Sequence, residues 1–387
     1  MEQLAPYEKV FVDKAFLEDP NHGSMECQEC HGGNPNEPNW LLAHGGVVRD
    51  PTLDDPEKVC GDCHPEIVER AQRSLHVTLA PFYTAVTTRA SHEEPALSDM
   101  LKATKAHCGD CHASCGQCHI SRPTYVGGGF LNSHQFEKTP PMREVCTACH
   151  GSRIEKEYFG KNKGATPDVH WRKRFFTCDK CHSGEEMHGD GTTPMNRYQV
   201  KAAPKCEGCH QSITAEGAAN RKQHLTHKGK VSCQVCHSVT YKNCYGCHFA
   251  LDKFGFEYFK SEETLMDFKI GRNPKQLTGR SVDYVTLRHV PVNTGLLDYY
   301  VRSGLTNFNA KPTWLPATPH NISRKTPQNE RCTACHGNKS LFLLAGDIRS
   351  GFAVANKPVV TPEEVASMTV EEELSTNQGT FNGQTSK

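Results

Sequence analysis

Apolar residues recur at helical spacing in the stretch that begins at Pro65. A proline suits the first helical position, and the apolar residues after it follow intervals of three and four. We therefore predict a helix over residues 65–90, with a break near Pro81, whose ring clashes with the preceding turn. A second helix is predicted over residues 96–106. The apolar stripe of the first helix comprises Ile67, Val68, Ala71, Leu75, Leu79 and Phe82.

The two ends of the chain carry shorter patterns. Residues 1–19 alternate aromatic, aliphatic and charged side chains, which predicts a short helix or an arm. Near the other end, Thr361-Pro-Glu-Glu has the form of a helix start with a capping box, and this helix is predicted to run to about Leu374. The polar residues 375–387 are predicted to form a tail or a docking strand.

The rest of the chain alternates short helical patterns with glycine-rich and proline-rich loops. Residues 249–331 are rich in aromatic side chains, and we predict a segment that wraps around the remainder of the protein. Residues 1–360 are expected to form one unit, followed by a helix and tail over residues 361–387. The predicted fold class is mainly α with extensive irregular loops.

Only 36% of the 387 residues are hydrophobic, so the side chains alone would bury little apolar surface. The spacing of the cysteines indicates how such a chain can still form a core. Ten times the sequence places two cysteines three positions apart and follows the second at once with histidine. This is the attachment signature of c-type haem, in which both thiols bond to the macrocycle and the histidine is an axial iron ligand.

The ten motifs use all 20 cysteines of the chain. Two motifs lie almost in contact, between residues 108 and 119. The thiols that we predict to bind haem are Cys27, Cys30, Cys60, Cys63, Cys108, Cys111, Cys115, Cys118, Cys146, Cys149, Cys178, Cys181, Cys206, Cys209, Cys233, Cys236, Cys244, Cys247, Cys332 and Cys335. The motif histidines that we predict to bind iron are His31, His64, His112, His119, His150, His182, His210, His237, His248 and His336.

Paired cysteines with histidine are also zinc ligands, but zinc sites need a second ligand pair rather than a histidine after every pair. Ten covalently bound haems are therefore the predicted cofactors, and they would supply the apolar core that the side chains lack. The acidic residues 50–55 suggest a calcium site, although a plain turn explains them better.

The 22 histidines exceed the ten of the motifs by twelve, which is enough to give every iron a second axial imidazole. His92 lies in a charged run, and His224 is so close to His227 that we assign only one of the two. Iron with both axial positions filled by histidine suits electron transfer. The predicted distal ligands are His22, His44, His76, His107, His134, His170, His188, His227, His289 and His320.

Charge and hydropathy restrict the partners. The formal net charge is zero, with no block of lysine and arginine that would follow nucleic-acid phosphates. No stretch reaches the roughly 18 apolar residues of a membrane span, and residues 1–20 lack the apolar region of a signal peptide. Because haem is attached outside the cytoplasm, we expect an extracytoplasmic mature form whose export signal has been removed.

Several segments resemble the octahaem tetrathionate reductase family of multihaem cytochromes. They are spread over nearly the whole chain and comprise Cys115-Gly-Gln-Cys-His-Ile-Ser-Arg-Pro123, Phe11-Val-Asp-Lys-Ala-Phe-Leu-Glu-Asp-Pro-Asn-His-Gly23, Thr286-Leu-Arg-His-Val-Pro291, Pro319-His-Asn-Ile322 and Thr326-Pro-Gln-Asn329. The resemblance implies a mainly α-helical, haem-dense fold, related to hydroxylamine oxidoreductases, with closely stacked haem pairs. The chain departs from the family in having ten motifs rather than eight.

Two functions follow from these observations. The first is an electron conduit that takes electrons from a redox partner protein and passes them to another cytochrome, to an extracellular acceptor or to further copies in a homopolymeric filament. The second is a reductase of tetrathionate, nitrite or hydroxylamine at one open or lysine-ligated haem, with a nearby side chain delivering protons. The histidine count favours the first. No catalytic residue is assigned.

Overall fold

The computed structural model describes residues 4–109, 113–123, 126–242, 246–262 and 268–371. The structure does not describe the tail after residue 371, nor the complete side chains of the motifs at residues 108–112 and 244–248. The sequence predictions that fall there concern residues 375–387, Cys108, Cys111, His112, Cys244, Cys247 and His248.

The chain divides into two compact units. Unit 1 comprises Met1–Thr84, Thr104–Ser152 and Phe176–Pro204. Unit 2 comprises Ala85–Ala103, Arg153–Phe175 and Lys205–Lys387.

Short helices make up most of the regular structure. In the first half of the chain they are α1 (Lys14–Leu17), α2 (Cys27–His31), α3 (Trp40–Ala43), α4 (Pro51–Asp54), α5 (Pro56–Cys60), α6 (Pro65–Ala71), α7 (Leu75–Thr78), α8 (Ala80–Arg89), α9 (Ala96–Cys108), α10 (Cys115–His119) and α11 (Thr147–His150). The remaining α-helices are α12 (Lys156–Tyr158), α13 (Val169–Arg174), α14 (Gly184–His188), α15 (Cys206–Cys209), α16 (Arg221–His227), α17 (Cys233–His237), α18 (Lys275–Thr278), α19 (Ala353–Asn356) and α20 (Glu363–Ser367).

The helix predicted over residues 65–90 with a break near Pro81 is observed as the three helices α6, α7 and α8, so the continuity predicted before Pro81 was wrong. The second break falls at Leu79, which has a left-handed backbone with φ of 47°. Pro81 lacks an amide hydrogen and would clash with the carbonyl four residues earlier, so it is accommodated only in the first turn of the new helix α8. The predicted break is therefore real but lies two residues earlier.

The other predicted helices are observed in part. Helix α9 begins at Ala96 as predicted and continues to Cys108. The arm at the start of the chain contains the short helix α1. The capping box at Thr361 was wrong, because the Thr361 hydroxyl instead donates a hydrogen bond to the Ile270 carbonyl and α20 begins without a side-chain cap.

Two antiparallel sheets lie in unit 2, and the sequence analysis predicted neither. Strands β1 (Gly246–Leu251) and β2 (Glu257–Glu262) form a two-stranded sheet in which Gly246 is opposite Glu262. Strands β3 (Lys269–Arg272), β4 (Tyr284–His289) and β5 (Trp314–Pro316) form a three-stranded sheet with β4 in the centre. Strands β2 to β5 lie wholly within the aromatic segment 249–331, and β1 ends inside it.

Close packing holds the three-stranded sheet together. Ile270 is opposite Thr286, and His289 is opposite Trp314. Gly271 is required in β3, because a Cβ atom there would lie 2.4 Å from the Val359 carbonyl oxygen. The three strands are therefore in close contact with one another and with the backbone at Val359.

Buried apolar side chains form three clusters, and all of their residues belong to unit 2. The first joins α8 and α9 to the segment 296–308, with Met100 and Ala90 fully buried. The other two lie against the three-stranded sheet, around Leu287 and Ile270. Among the described residues, no helix is long and apolar enough to cross a lipid bilayer.

Candidate cofactor-binding sites

The haem motifs adopt a common local geometry. In four of them the histidine amide donates a hydrogen bond to the carbonyl of the first cysteine, at 2.8–2.9 Å, in His64, His182, His210 and His336. This bond closes one helical turn, which brings residues three and four positions apart onto one face. Two thiols and one imidazole therefore point to the same side of the turn.

Six histidines of the motifs face a histidine from elsewhere in the chain. The distances between ring centroids are 5.9–6.3 Å in every case. In unit 1 the pairs are His31 with His134, His150 with His76, and His119 with His188. In unit 2 they are His210 with His170, His237 with His224, and His336 with His227.

The spacing of these pairs is that of two ligands on opposite sides of one metal. A bond from imidazole nitrogen to a transition metal is about 2 Å long, so two such bonds in line separate the ring centroids by about 6 Å. Packed aromatic rings also lie at such distances. Ordinary packing, however, gives no reason why each pair should join one motif histidine to one histidine outside the motifs.

Hydrogen bonds orient several of these imidazoles. The Nδ1 atoms of His31 and His119 lie 2.7 Å from the carbonyl oxygens of Val48 and Glu137. A carbonyl can only accept, so Nδ1 carries the proton and Nε2 presents its lone pair. The same arrangement joins His227 to the Gln223 carbonyl at 2.8 Å.

Two imidazoles face carboxylates instead of carbonyls. His170 Nδ1 lies 2.8 Å from Asp168 Oδ1, and His182 Nδ1 lies 2.8 Å from Glu186 Oε2. The hydrogen bond that His170 donates to Asp168 raises the pKa of His170, and the one that His182 donates to Glu186 raises the pKa of His182. Both carboxylates therefore hold the proton on Nδ1.

Burial acts in the opposite direction on other members of the pairs. Desolvation lowers the pKa of His76, His134, His188 and His237, because a charged imidazolium is poorly solvated inside the protein. A lower pKa keeps these rings neutral. Neutral imidazole is the form that binds a metal.

The thiols of different motifs also contact each other. The first cysteine of one motif forms a hydrogen bond with the first cysteine of another in the pairs Cys60 with Cys115, Cys146 with Cys178, and Cys206 with Cys233. These bonds lower the pKa values of Cys115, Cys146 and Cys206 to about 7. A lower pKa increases the fraction of thiolate, the nucleophilic form of cysteine.

In unit 1 the contacts continue from motif to motif. Cys30 is close enough to Cys60 to influence its pKa, and Cys146 acts on Cys118 in the same way. Together with the hydrogen-bonded pairs, these electrostatic interactions link five motifs in the order 27–31, 60–64, 115–119, 146–150 and 178–182. Motifs that follow one another in this series therefore lie close together in unit 1.

The other predicted ligands have different surroundings. The ring of His22 stacks on Phe136 at 4.0 Å, and His44 Nδ1 lies 2.7 Å from the Trp40 carbonyl oxygen. Strand β4 ends at His289, and the His320 amide donates to Glu157. Helix α9 carries His107 in its last turn. Like the other five predicted distal ligands, these five stay predictions.

His224 is the ligand candidate that the sequence analysis left out. Its ring faces His237 at 6.3 Å, while His227 on the same helix faces His336. The two residues are three positions apart on α16, a spacing that already indicated that both could reach one side of the helix. His92, the other omitted histidine, is exposed, and its Nε2 lies 3.3 Å from the Thr87 carbonyl oxygen.

The donor set fits haem c better than zinc or calcium. Nowhere in the described part of the chain do three or more histidine, cysteine, aspartate or glutamate side chains group as a metal site. The imidazoles occur in twos, as axial ligands do, and 16 described cysteines are free thiols. In the acidic stretch, Asp50 accepts hydrogen bonds from Thr52 and Ser114, so its carboxylate binds the chain itself.

Comparison of the chain with protein-family models, with curated proteins and with solved structures finds no match. The function is therefore inferred from the residues of the motifs and of the histidine pairs.

Proposed function

We propose that the chain is a decahaem c-type cytochrome that carries electrons over long distances. Iron with two histidine ligands changes between the ferric and ferrous states without binding a substrate. The chain would contribute two thiols and one imidazole from each motif and a second imidazole from a distant residue. Its place is extracytoplasmic, and its partners are redox proteins or an extracellular acceptor, including further copies of itself.

The continuous series of motifs in unit 1 is the observation that carries this proposal. A cofactor bonded to Cys60 must lie beside one bonded to Cys115, because the two thiols are in hydrogen-bond contact. The same holds for Cys146 and Cys178. An enzyme needs one reactive centre, whereas a conduit needs neighbouring centres along its whole length, and five connected motifs provide them.

The histidines that face the motif histidines support the same function. Six of the eight motifs whose histidine side chains the structure describes already have a facing imidazole. Iron at such positions is closed to small molecules. Electron transfer needs no open coordination site.

Electron paramagnetic resonance of the fully oxidised holoprotein tests the proposal. We expect covalently bound haem with nearly all of the iron low-spin, because two imidazoles give a strong ligand field. Spectra that are mostly high-spin, or a purified protein without covalently bound haem, would contradict the conduit.

The reductase is the second candidate, and His64 is the observation that favours it. The His64 side chain is exposed, and none of the described histidines faces it. An open iron at this motif would bind nitrite, hydroxylamine or tetrathionate. If one iron in ten is high-spin and its signal changes on adding one of these compounds, the reductase replaces the conduit.

A further inference from the structure

The histidines of the motifs, and the histidines that face them, differ in what accepts their Nδ1 proton. A backbone carbonyl accepts it from His31, His119, His227 and His237. A carboxylate accepts it from His170 and from His182. One carboxylate-bound histidine therefore lies in each unit, with carbonyl-bound histidines in the same unit for comparison.

Asp168 is fixed in place by its neighbours. Its side chain is 3% exposed. Oδ1 accepts from both the Nδ1 atom and the backbone amide of His170, at 2.8 and 2.7 Å, and Oδ2 accepts from the Ile322 amide at 2.8 Å. A buried carboxylate with these partners cannot turn away from the imidazole.

Glu186 has a simpler environment. Its carboxylate accepts from His182 one turn earlier in the chain, and its side chain is 14% exposed. The Ser183 hydroxyl accepts from the Glu186 amide and so positions the residue at the start of α14. Both carboxylates are thus oriented by the backbone around them.

A carboxylate draws the Nδ1 proton more strongly than a neutral carbonyl does, because it carries a full negative charge. The imidazole then becomes a stronger electron donor at Nε2, which stabilises the ferric state more than the ferrous state. We infer that Asp168 and Glu186 are positioning residues that make the irons bound by His170 and His182 harder to reduce than the irons of the carbonyl-bound histidines in the same unit.

This inference rests on the proposed function and adds an energetic order to it. In unit 2, the motif of His210 would have a lower reduction potential than the motifs of His237 and His336. In unit 1, the motif of His182 ends the connected series of thiols and would have a lower potential than those of His31 and His119. Transfer of an electron to the iron of either motif would then require more free energy than transfer to the irons with which it is compared.

Redox titration of the holoprotein, followed by absorption spectroscopy, tests the inference in Asp168→Asn. Asparagine still accepts through Oδ1 and still suits the start of α13, but it removes the negative charge. We expect one of the ten haems to become easier to reduce by about tenfold in its equilibrium constant, which is about 59 mV for one electron. The other nine should titrate as before.

Asp283→Asn is the matched control. This aspartate also belongs to unit 2, but its carboxylate accepts from Lys275 Nζ at 2.6 Å and is 51% exposed. The substitution removes the same charge without touching a histidine. Its titration should equal that of the parent protein.

Glu186→Gln is the second test, because Asp168→Asn also removes the hydrogen bond from Ile322. If Asp168→Asn loses low-spin iron or fails to fold, the test rests on Glu186→Gln alone. In that variant the equilibrium constant for reduction of one haem should again increase by about tenfold. Unchanged titrations in both variants would overturn the inference and leave the conduit intact. A holoprotein without bis-histidine haem would instead overturn the proposed function itself.

Discussion

Helix α16 shows how much chemistry a single residue position decides. His224 and His227 lie three positions apart, yet their rings face the histidines of two different motifs, His237 and His336. One short helix thus supplies a second imidazole to two motifs. The sequence analysis assigned only one ligand to this close pair of histidines and therefore missed His224.

Replacement of His224 by alanine tests its assignment. In His224→Ala we expect about one iron in ten to change from low-spin to high-spin, because the ferric iron loses one strong-field ligand. The matched control is His92→Ala, which removes an exposed histidine that bonds a backbone carbonyl instead of facing a motif histidine. Integrated electron paramagnetic resonance of both variants measures the difference, and equal spectra would refute the role of His224.

At the scale of elements, glycines decide how closely a ligand-bearing helix approaches its neighbour. Helix α14 ends at His188, and the next residue, Gly189, has φ of 93°. A Cβ atom at Gly189 would lie 2.7 Å from the Arg70 carbonyl oxygen of α6. The end of α14 can therefore reach its position only because this residue has no side chain.

Gly189→Ala should lower stability more than its neighbour Gly191→Ala does. Both glycines have positive φ, so each substitution costs about 1–3 kcal/mol of backbone strain. At Gly191 no atom lies within 4 Å of the added methyl group, whereas at Gly189 the backbone of α6 must move, which adds about 1–3 kcal/mol.

Denaturant unfolding of the two holoproteins measures this difference. The Gly189 variant should also show more high-spin iron, because displacement of α14 moves His188 away from His119. Equal stabilities of the two variants would mean that the backbones of α6 and α14 are not in close contact.

On the scale of the whole molecule, the two units differ in what fills their interiors. All three clusters of buried apolar side chains belong to unit 2. The buried apolar residues of unit 1 include Val68, Leu79 and Met142, which are separated along the chain and belong to none of the clusters. Unit 1 nevertheless contains five of the eight fully described motifs.

The protein produced without haem attachment should therefore lose structure unevenly. We expect hydrogen exchange to be fast throughout unit 1, because few apolar contacts there would oppose opening. Strands β3 and β4 of unit 2 should keep measurable protection, since Val285 and Leu287 are completely buried in an apolar cluster.

Hydrogen exchange followed by mass spectrometry, with the holoprotein as the reference, measures both regions. Strong protection of unit 1 in the absence of haem would contradict the expectation. It would mean that the side chains of this unit form a sufficient core by themselves.

The sequence by itself determined the local geometry of the motifs, because two cysteines and a histidine at this spacing share one face of a single helical turn. It also indicated helix α9 and five of the six histidines that face a motif histidine. It could not reveal the strands, since β3, β4 and β5 become stable only when residues far apart in the chain pair and bury Leu287 between them.

Tertiary structure alone decided which imidazoles meet and which thiols touch. His31 and His134 are about a hundred positions apart, and nothing in their local sequences selects one for the other. The order of the motifs in unit 1, the second ligand on α16 and the carboxylate beside His170 all depend on such long-range contacts. Local spacing determines which side chains share one face of each motif, whereas the fold of the whole chain determines which motifs and which histidines lie next to each other.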